Sequence, residues 1–129
     1  MFIYYYRSKY GRWQRGGNAS NNCTVLAQFG KKCEFLGVFS SAKMFQFVID
    51  DKVDRGISIK NCKTVDNCDP PLSSVLLNEE TGSRTIVHSN PNMPILTFDD
   101  FKRVQLDEYE WIHFEVRCYY ILVQLLIRL

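Results

Sequence analysis

Residues 13–21 read Trp-Gln-Arg-Gly-Gly-Asn-Ala-Ser-Asn, and they hold the side chains best placed to do chemistry. Gly16 and Gly17 stand directly before a segment able to begin a helix. Glycine tolerates backbone angles that other residues avoid and lets the main chain approach a ligand closely. Asn18, Ser20 and Asn21 then place short polar groups at a helix N-terminus, where they can cap free amides or reach outward to hydroxyls. A carboxamide both donates and accepts hydrogen bonds, so this arrangement suits a neutral polyol better than a phosphate. Arg84 follows a turn and is permanently charged, which suits phosphate oxygens; as a bland alternative it is a solvated strand residue. Glu115 closes an apolar strand-like segment, and ligands of α/β sheets gather at the carboxyl ends of strands. Asp99 and Asp100 form an adjacent carboxylate pair, more simply read as helix capping in favour of the helix dipole.

Elements to position these groups can be read from periodicity and punctuation. Residues 2–6 are aromatic and β-rich and predict a strand, and 10–12 a turn or bulge. Residues 18–29 predict a helix with Ala19, Cys23, Leu26 and Phe29 on one face and Gly30 as its C-terminal stop. Residues 33–39 predict a short strand. Ser40 or Ser41 would cap a helix over 42–55 with Phe45, Val48, Ile49 and Val53 inward, ended by Gly56. Residues 57–64 alternate as an exposed strand would. Asp69-Pro70-Pro71 is a stiff break. Residues 73–78 and 84–88 flank a hairpin-type turn at 79–83. Thr97 with Asp100 forms a capping box for a helix to about residue 104, and 110–116 predicts a last strand. Helices of this length alternating with short strands indicate α/β layering.

At 129 residues the chain holds one domain at most. Sixteen basic against fourteen acidic residues leave a net charge of +2, without the clustered basic excess of a nucleic-acid binder. Cys23, Cys33, Cys62, Cys68 and Cys118 show no zinc-ligand spacing, and they read as reduced thiols of a cytoplasmic protein. No membrane association is expected. Residues 1–7 lack the apolar core of a signal peptide, and the apolar tail 118–129 is shorter than the ~20 residues a bilayer span requires.

The block at 13–21 resembles the sugar-binding segment of the ketohexokinase (fructokinase) branch of the ribokinase-like, phosphofructokinase-B family of sugar kinases. The resemblance continues at Cys23-Thr24-Val25-Leu26, at 78–87 (Asn-Glu-Glu-Thr-Gly-Ser-Arg-Thr-Ile-Val) and at Trp111-Ile112-His113-Phe114-Glu115, and covers residues 7–117. It implies part of a ribokinase-like α/β sandwich with a small β-sheet lid, the β-clasp, whose strands fall within 2–13 and 57–87. Residues 1–117 would form a partial carbohydrate kinase domain, and 118–129 a tail unlike the family. The implied activity is ATP-dependent phosphorylation of D-fructose to fructose 1-phosphate, with Mg2+, in a cytoplasmic homodimer paired through lid strands. Gly17, Asn18 and Asn21 match the ketose-binding residues, and Arg84 the residue that meets ATP phosphates.

Two departures limit this. Relatives continue Glu115 with Gly-Arg, where this chain has Val116-Arg117; valine resists the backbone angles glycine allows. No glycine follows Gly82, so the Gly-Ala-Gly-Asp motif that supplies the anion hole and catalytic base is missing, as is an early strand carrying a sugar-gripping aspartate. The expectation is a fragment without a catalytic base, inactive alone. The alternative is a non-catalytic module that binds ketose or pairs with a kinase subunit.

Overall fold

The structure, a computed structural model, describes residues 7–115. The strand expected at 2–6, the Val116 turn, Cys118 and the tail 118–129 lie outside the described residues. The elements run α1 (Asn18–Gln28), β1 (Val38–Ser40), a 3-10 turn (Lys43–Phe45), α2 (Gln46–Asp54), β2 (Lys63–Val65), β3 (Leu72–Leu77), β4 (Arg84–Ser89), α3 (Phe98–Phe101) and a 3-10 turn (Leu106–Glu108).

Helix α1 starts where the glycine pair predicts and stops at the predicted glycine. Gly17 is its N-cap at φ 94°, and the Asn21 amide donates to the Gly17 carbonyl at 2.9 Å. At the other end Gly30 has φ 71°; its amide donates to Ala27 and that of Lys31 to Leu26, the paired bonds of a Schellman stop. The same pair closes α2 at Gly56 and Ile57, and the Ile57 side chain is 2% exposed. Along α1, Cys23 is buried and Ala19 and Leu26 half-buried, as expected. Phe29 is 77% exposed, because it falls at the C-cap, where the chain leaves the helical face.

β1 and β2 pair in parallel, with Val38 opposite Lys63 and Ser40 opposite Val65, and α2 connects them. This β–α–β unit is the α/β layering expected, but its strands are shorter and displaced. The strand predicted at 33–39 forms only from Val38, and that at 57–64 resolves into an isolated parallel bridge, Glu34 to Ser58, followed by β2. Residues 111–115 form no strand. The helix predicted over 42–55 begins as a 3-10 turn with Ala42 at its N-cap. Ser40 does not cap it by a helical bond; its hydroxyl accepts from the Ala42 amide and donates to the Cys68 carbonyl at 2.6 Å.

Among the described residues the buried apolar side chains are Cys23, Phe39, Phe45, Ile57 and Phe101. Phe39 stacks on Phe35 at 6.0 Å and meets Phe45 at 5.6 Å. On α2 the inward face is completed by Lys52 and not by Val53. Lys52 is 1% exposed and Val53 57%. The lysine Nζ lies 4.6 Å from the Phe35 ring centre and 5.3 Å from that of Phe39, and donates to the Val48 carbonyl at 3.5 Å. Burial lowers this amine to about 8.

The hairpin formed by β3 and β4 pairs Leu72 with Ser89 through Leu77 with Arg84. Asn78 shapes its turn by accepting the amides of Glu80 and Thr81. Every residue of both strands is exposed. At its base the Asp69 amide donates to Asn92 Oδ1 at 2.8 Å, and Asn92 Nδ2 donates to the Asn67 carbonyl. Thr97 and Asp100 form both bonds of the predicted capping box on α3. Asp100 also accepts from Lys63 Nζ at 3.1 Å, which joins α3 to β2.

Candidate functional site

The N-terminus of α1 has no side-chain cap and no acidic residue in its first turn. Its leading amides therefore receive no capping side chain from the helix's own N-cap, and the helix dipole leaves positive character there. The positive φ of Gly17 turns the chain into the helix without a Cβ in the way; only Ser20 Cβ, at 3.9 Å, would meet one. Asn18 and Asn21 are exposed on this end.

Glu115 supplies the negative group the helix end lacks. Its carboxylate accepts from Asn18 Nδ2 at 3.2 Å and Asn22 Nδ2 at 3.1 Å, and shares a bond with His113 Nε2 at 3.1 Å. The His113 bond, then those from Asn18 and Asn22, hold Glu115 below the usual carboxylate range. The site brings together Asn18 and Glu115, which stand apart in the sequence. Asn22 and His113 were missed as members of the cluster. The signal for Asn22 was its place one turn after Asn18, which sets both amides on one side of the helix end.

Behind the helix end sits Arg15, also missed. Only 6% of its side chain is exposed. Its guanidinium donates to Asp51 Oδ2 at 2.6 Å and forms short bonds to the hydroxyls of Ser20 and Thr24. Asp51 is bonded also by Arg55, and the two arginines, Arg55 foremost, lower its carboxyl to about 2. No acidic residue near Arg15 in sequence signals a partner that lies 36 positions away. The network fixes the stretch before Gly16 and Gly17 against α1 and α2, and so fixes the turn that displays Asn18 and Asn21.

Arg84 begins β4, exposed, opposite Leu77. Among the described residues no hydrogen bond or ion pair connects it with Gly17, Asn18 or Asn21. A shallow cleft of about 210 Å3, lined by Thr24, Ala27, Gln28 and Arg55, runs along the flank of α1 away from its N-terminal residues. Among the described residues no three His, Cys, Asp or Glu side chains converge as a metal site. Asp99 and Asp100 act as a helix start: Asp100 closes the capping box and Asp99 pairs with Lys102. Among the described residues no helix is long and apolar enough to cross a membrane.

Comparison with known proteins gives the geometry a context. No family model matches. Over 106 residues, 82% of its length, the chain is 40% identical to ketohexokinase of Mus musculus, and it spans 36% of the length of that relative. The backbone resembles a fructokinase from Xylella fastidiosa, with a TM-score of 0.56 at 20% identity, covering 65% of this chain and 26% of that one. A second structure of the Xylella fastidiosa fructokinase, with bound ATP, gives a TM-score of 0.53 at 22% identity, covering 66% of this chain and 27% of that one. At those identities the likeness shows the fold alone, that of the fructokinases. The chain is thus ketohexokinase-like in sequence over most of its length, and it spans about a third of the relative it matches.

Proposed function

We propose that this chain is the sugar-binding and lid portion, within residues 1–117, of an ATP-dependent sugar kinase of the ketohexokinase type. The tail 118–129 lies outside that portion. The observation that carries the reading is the end of α1: an uncapped helix N-terminus, entered through Gly17 at φ 94°, with the Asn18 carboxamide already donating to an oxygen of Glu115. Backbone amides and carboxamides there meet neutral hydroxyls as readily as a carboxylate. Gly17, Asn18 and Asn21 are the proposed contacts to the ketose, with D-fructose as the substrate and fructose 1-phosphate as product. Arg84 is the proposed contact to ATP phosphates; its permanent charge and exposure suit that role.

Phosphoryl transfer requires a positioned hydroxyl, stabilised charge and, ordinarily, Mg2+. This chain's residues bind and orient the sugar; the base and anion hole are assigned to sequence this chain does not contain. Cytoplasmic location and pairing of lid hairpins in a homodimer belong to the same proposal. The two exposed faces of β3–β4 support the pairing.

Fructose should raise the Tm of the chain in a concentration-dependent way, through mass action on the folded state. Asn18→Ala combined with Asn21→Ala should remove that rise, while Arg84→Ala should leave it intact. No shift of the unsubstituted chain at saturating fructose would overturn the sugar site.

A further inference from the structure

Cys23 and Cys33 have no part in the proposed sugar site, yet the fold brings the two residues into contact. Cys33 Sγ donates to the Cys23 carbonyl at 3.4 Å, and Cys23 Sγ donates to the carbonyl of Glu34, the residue next to Cys33, at 3.7 Å. Cys23 is 8% exposed on the inner face of α1; Cys33 is half-buried, beside solvent. The other two described thiols make main-chain bonds of their own. Cys62 Sγ donates to the Phe35 carbonyl at 3.0 Å and Cys68 Sγ to the Asp66 carbonyl at 3.4 Å. Cys33 is anchored as well: the Ser58 amide donates to its carbonyl at 3.0 Å, and Phe35 donates back to Ser58 at 2.8 Å.

We propose that Cys23 and Cys33 are a redox modification site, closed to an intramolecular disulfide by exchange with a small disulfide such as oxidised glutathione. The Cys33 thiolate attacks one sulfur of oxidised glutathione, forming a mixed disulfide and releasing one glutathione thiolate. Cys23, having given its proton to solvent, attacks the Cys33 sulfur, the Cys23–Cys33 bond forms and the second glutathione thiolate leaves. Two protein thiols are oxidised, one glutathione disulfide is reduced, and two protons pass to the released thiolates. Burial, with Cys33 adding to it, raises the Cys23 thiol to about 11, so closure quickens as pH rises. The product joins α1 covalently to the segment that carries the Glu34–Ser58 bridge, and so fixes the helix that displays Asn18 and Asn21.

The test is peptide mapping of the full chain after incubation with oxidised glutathione, with free thiols blocked by alkylation, in buffer and in urea. Cys62 and Cys68 lie closer in sequence than Cys23 and Cys33, so in an unfolded chain loop closure favours the Cys62–Cys68 link. In buffer the dominant link should be Cys23–Cys33, with Cys62 and Cys68 alkylated, and urea should shift the products toward Cys62–Cys68. Cys23→Ser should stop the reaction at glutathione on Cys33, and Cys33→Ser should give no link at Cys23. The proposal is overturned by glutathione persisting on Cys33 of the unsubstituted chain, by a dominant link to Cys62, Cys68 or Cys118 in buffer, by no reaction, or by one product distribution in both solvents.

Discussion

Replacing Arg15 tests whether one buried guanidinium holds the glycine turn against both helices. In Arg15→Ala, Ser20 Oγ loses its donor in a residue only 3% exposed, a cost of about 1–2 kcal/mol. The ion pair with Asp51 is lost, but Asp51 keeps Arg55 and its side chain is 31% exposed, so screening limits that loss to about 1 kcal/mol. The packing of the arginine stem contributes about 1 kcal/mol more. The sum is about 3–4 kcal/mol, read as the change in unfolding free energy from urea titrations followed by circular dichroism. Arg15→Met should recover the stem and cost about 2–3 kcal/mol. A cycle with Asp51→Asn should give a coupling of about 1 kcal/mol.

The pH dependence has a definite sign. Asp51 is held at about 2, below its ordinary 3.8, so its contribution is present above about pH 4 and is lost as pH falls toward 2. Arg15→Ala should make that acid loss shallower, and Asp51→Asn should remove the Asp51 share of it, leaving that of Asp100, which is likewise held at about 2. A cost below about 1 kcal/mol for Arg15→Ala, with an unchanged acid limb, would refute the reasoning.

Three further substitutions probe other parts of the fold. Lys52 is lowered to about 8 by burial, so the folded state releases its proton before the unfolded one, and stability rises with pH above 8. Cys23 and Cys62, raised to about 11, oppose this above about 9, so the clean window is about pH 8–9. Lys52→Met should remove the rise and be at least as stable at neutral pH; a loss above about 2 kcal/mol would mean the ring contacts outweigh the burial cost. Gly17→Ala should cost about 1–3 kcal/mol by the strain of a positive φ, whereas Gly16→Ala, with open space around it, should stay within about 0.5 kcal/mol. Equal costs at the two positions, measured by urea titration, would sink the assignment of the turn to Gly17.

Elements whose determinants lie within a few residues of one another were legible in the sequence. Helix α1 is bracketed by Gly17 and Gly30, α3 by the Thr97–Asp100 box, and the hairpin by its Asn78–Ser83 turn. Where register depends on a distant partner, the pattern was not enough. The parallel pair β1–β2 is three residues long on each side, and nothing local says that pairing begins at Val38 and not at Cys33. Helical periodicity favoured Val53 by polarity alone, while the face is set by geometry and takes Lys52 with its stem between two phenylalanines. The site divides the same way. The glycine turn and the carboxamides are consecutive, so they were visible; Glu115 lies 97 positions from Asn18 and Arg15 lies 36 from Asp51, and only folding joins them.

The latch at the base of the hairpin bears on how the chain tolerates change in length. Asn92 holds the Asp69 amide and reaches the Asn67 carbonyl, so the points where the chain departs into the hairpin and returns are adjacent. A polypeptide that leaves and re-enters at one place is topologically a side loop. Its length can change without displacing the β–α–β unit, because closing a longer excursion between fixed, neighbouring ends adds only about 0.6 kcal/mol per doubling. The region between 69 and 92 is therefore a natural port for inserted or exchanged sequence, with Asn92 as its hinge pin.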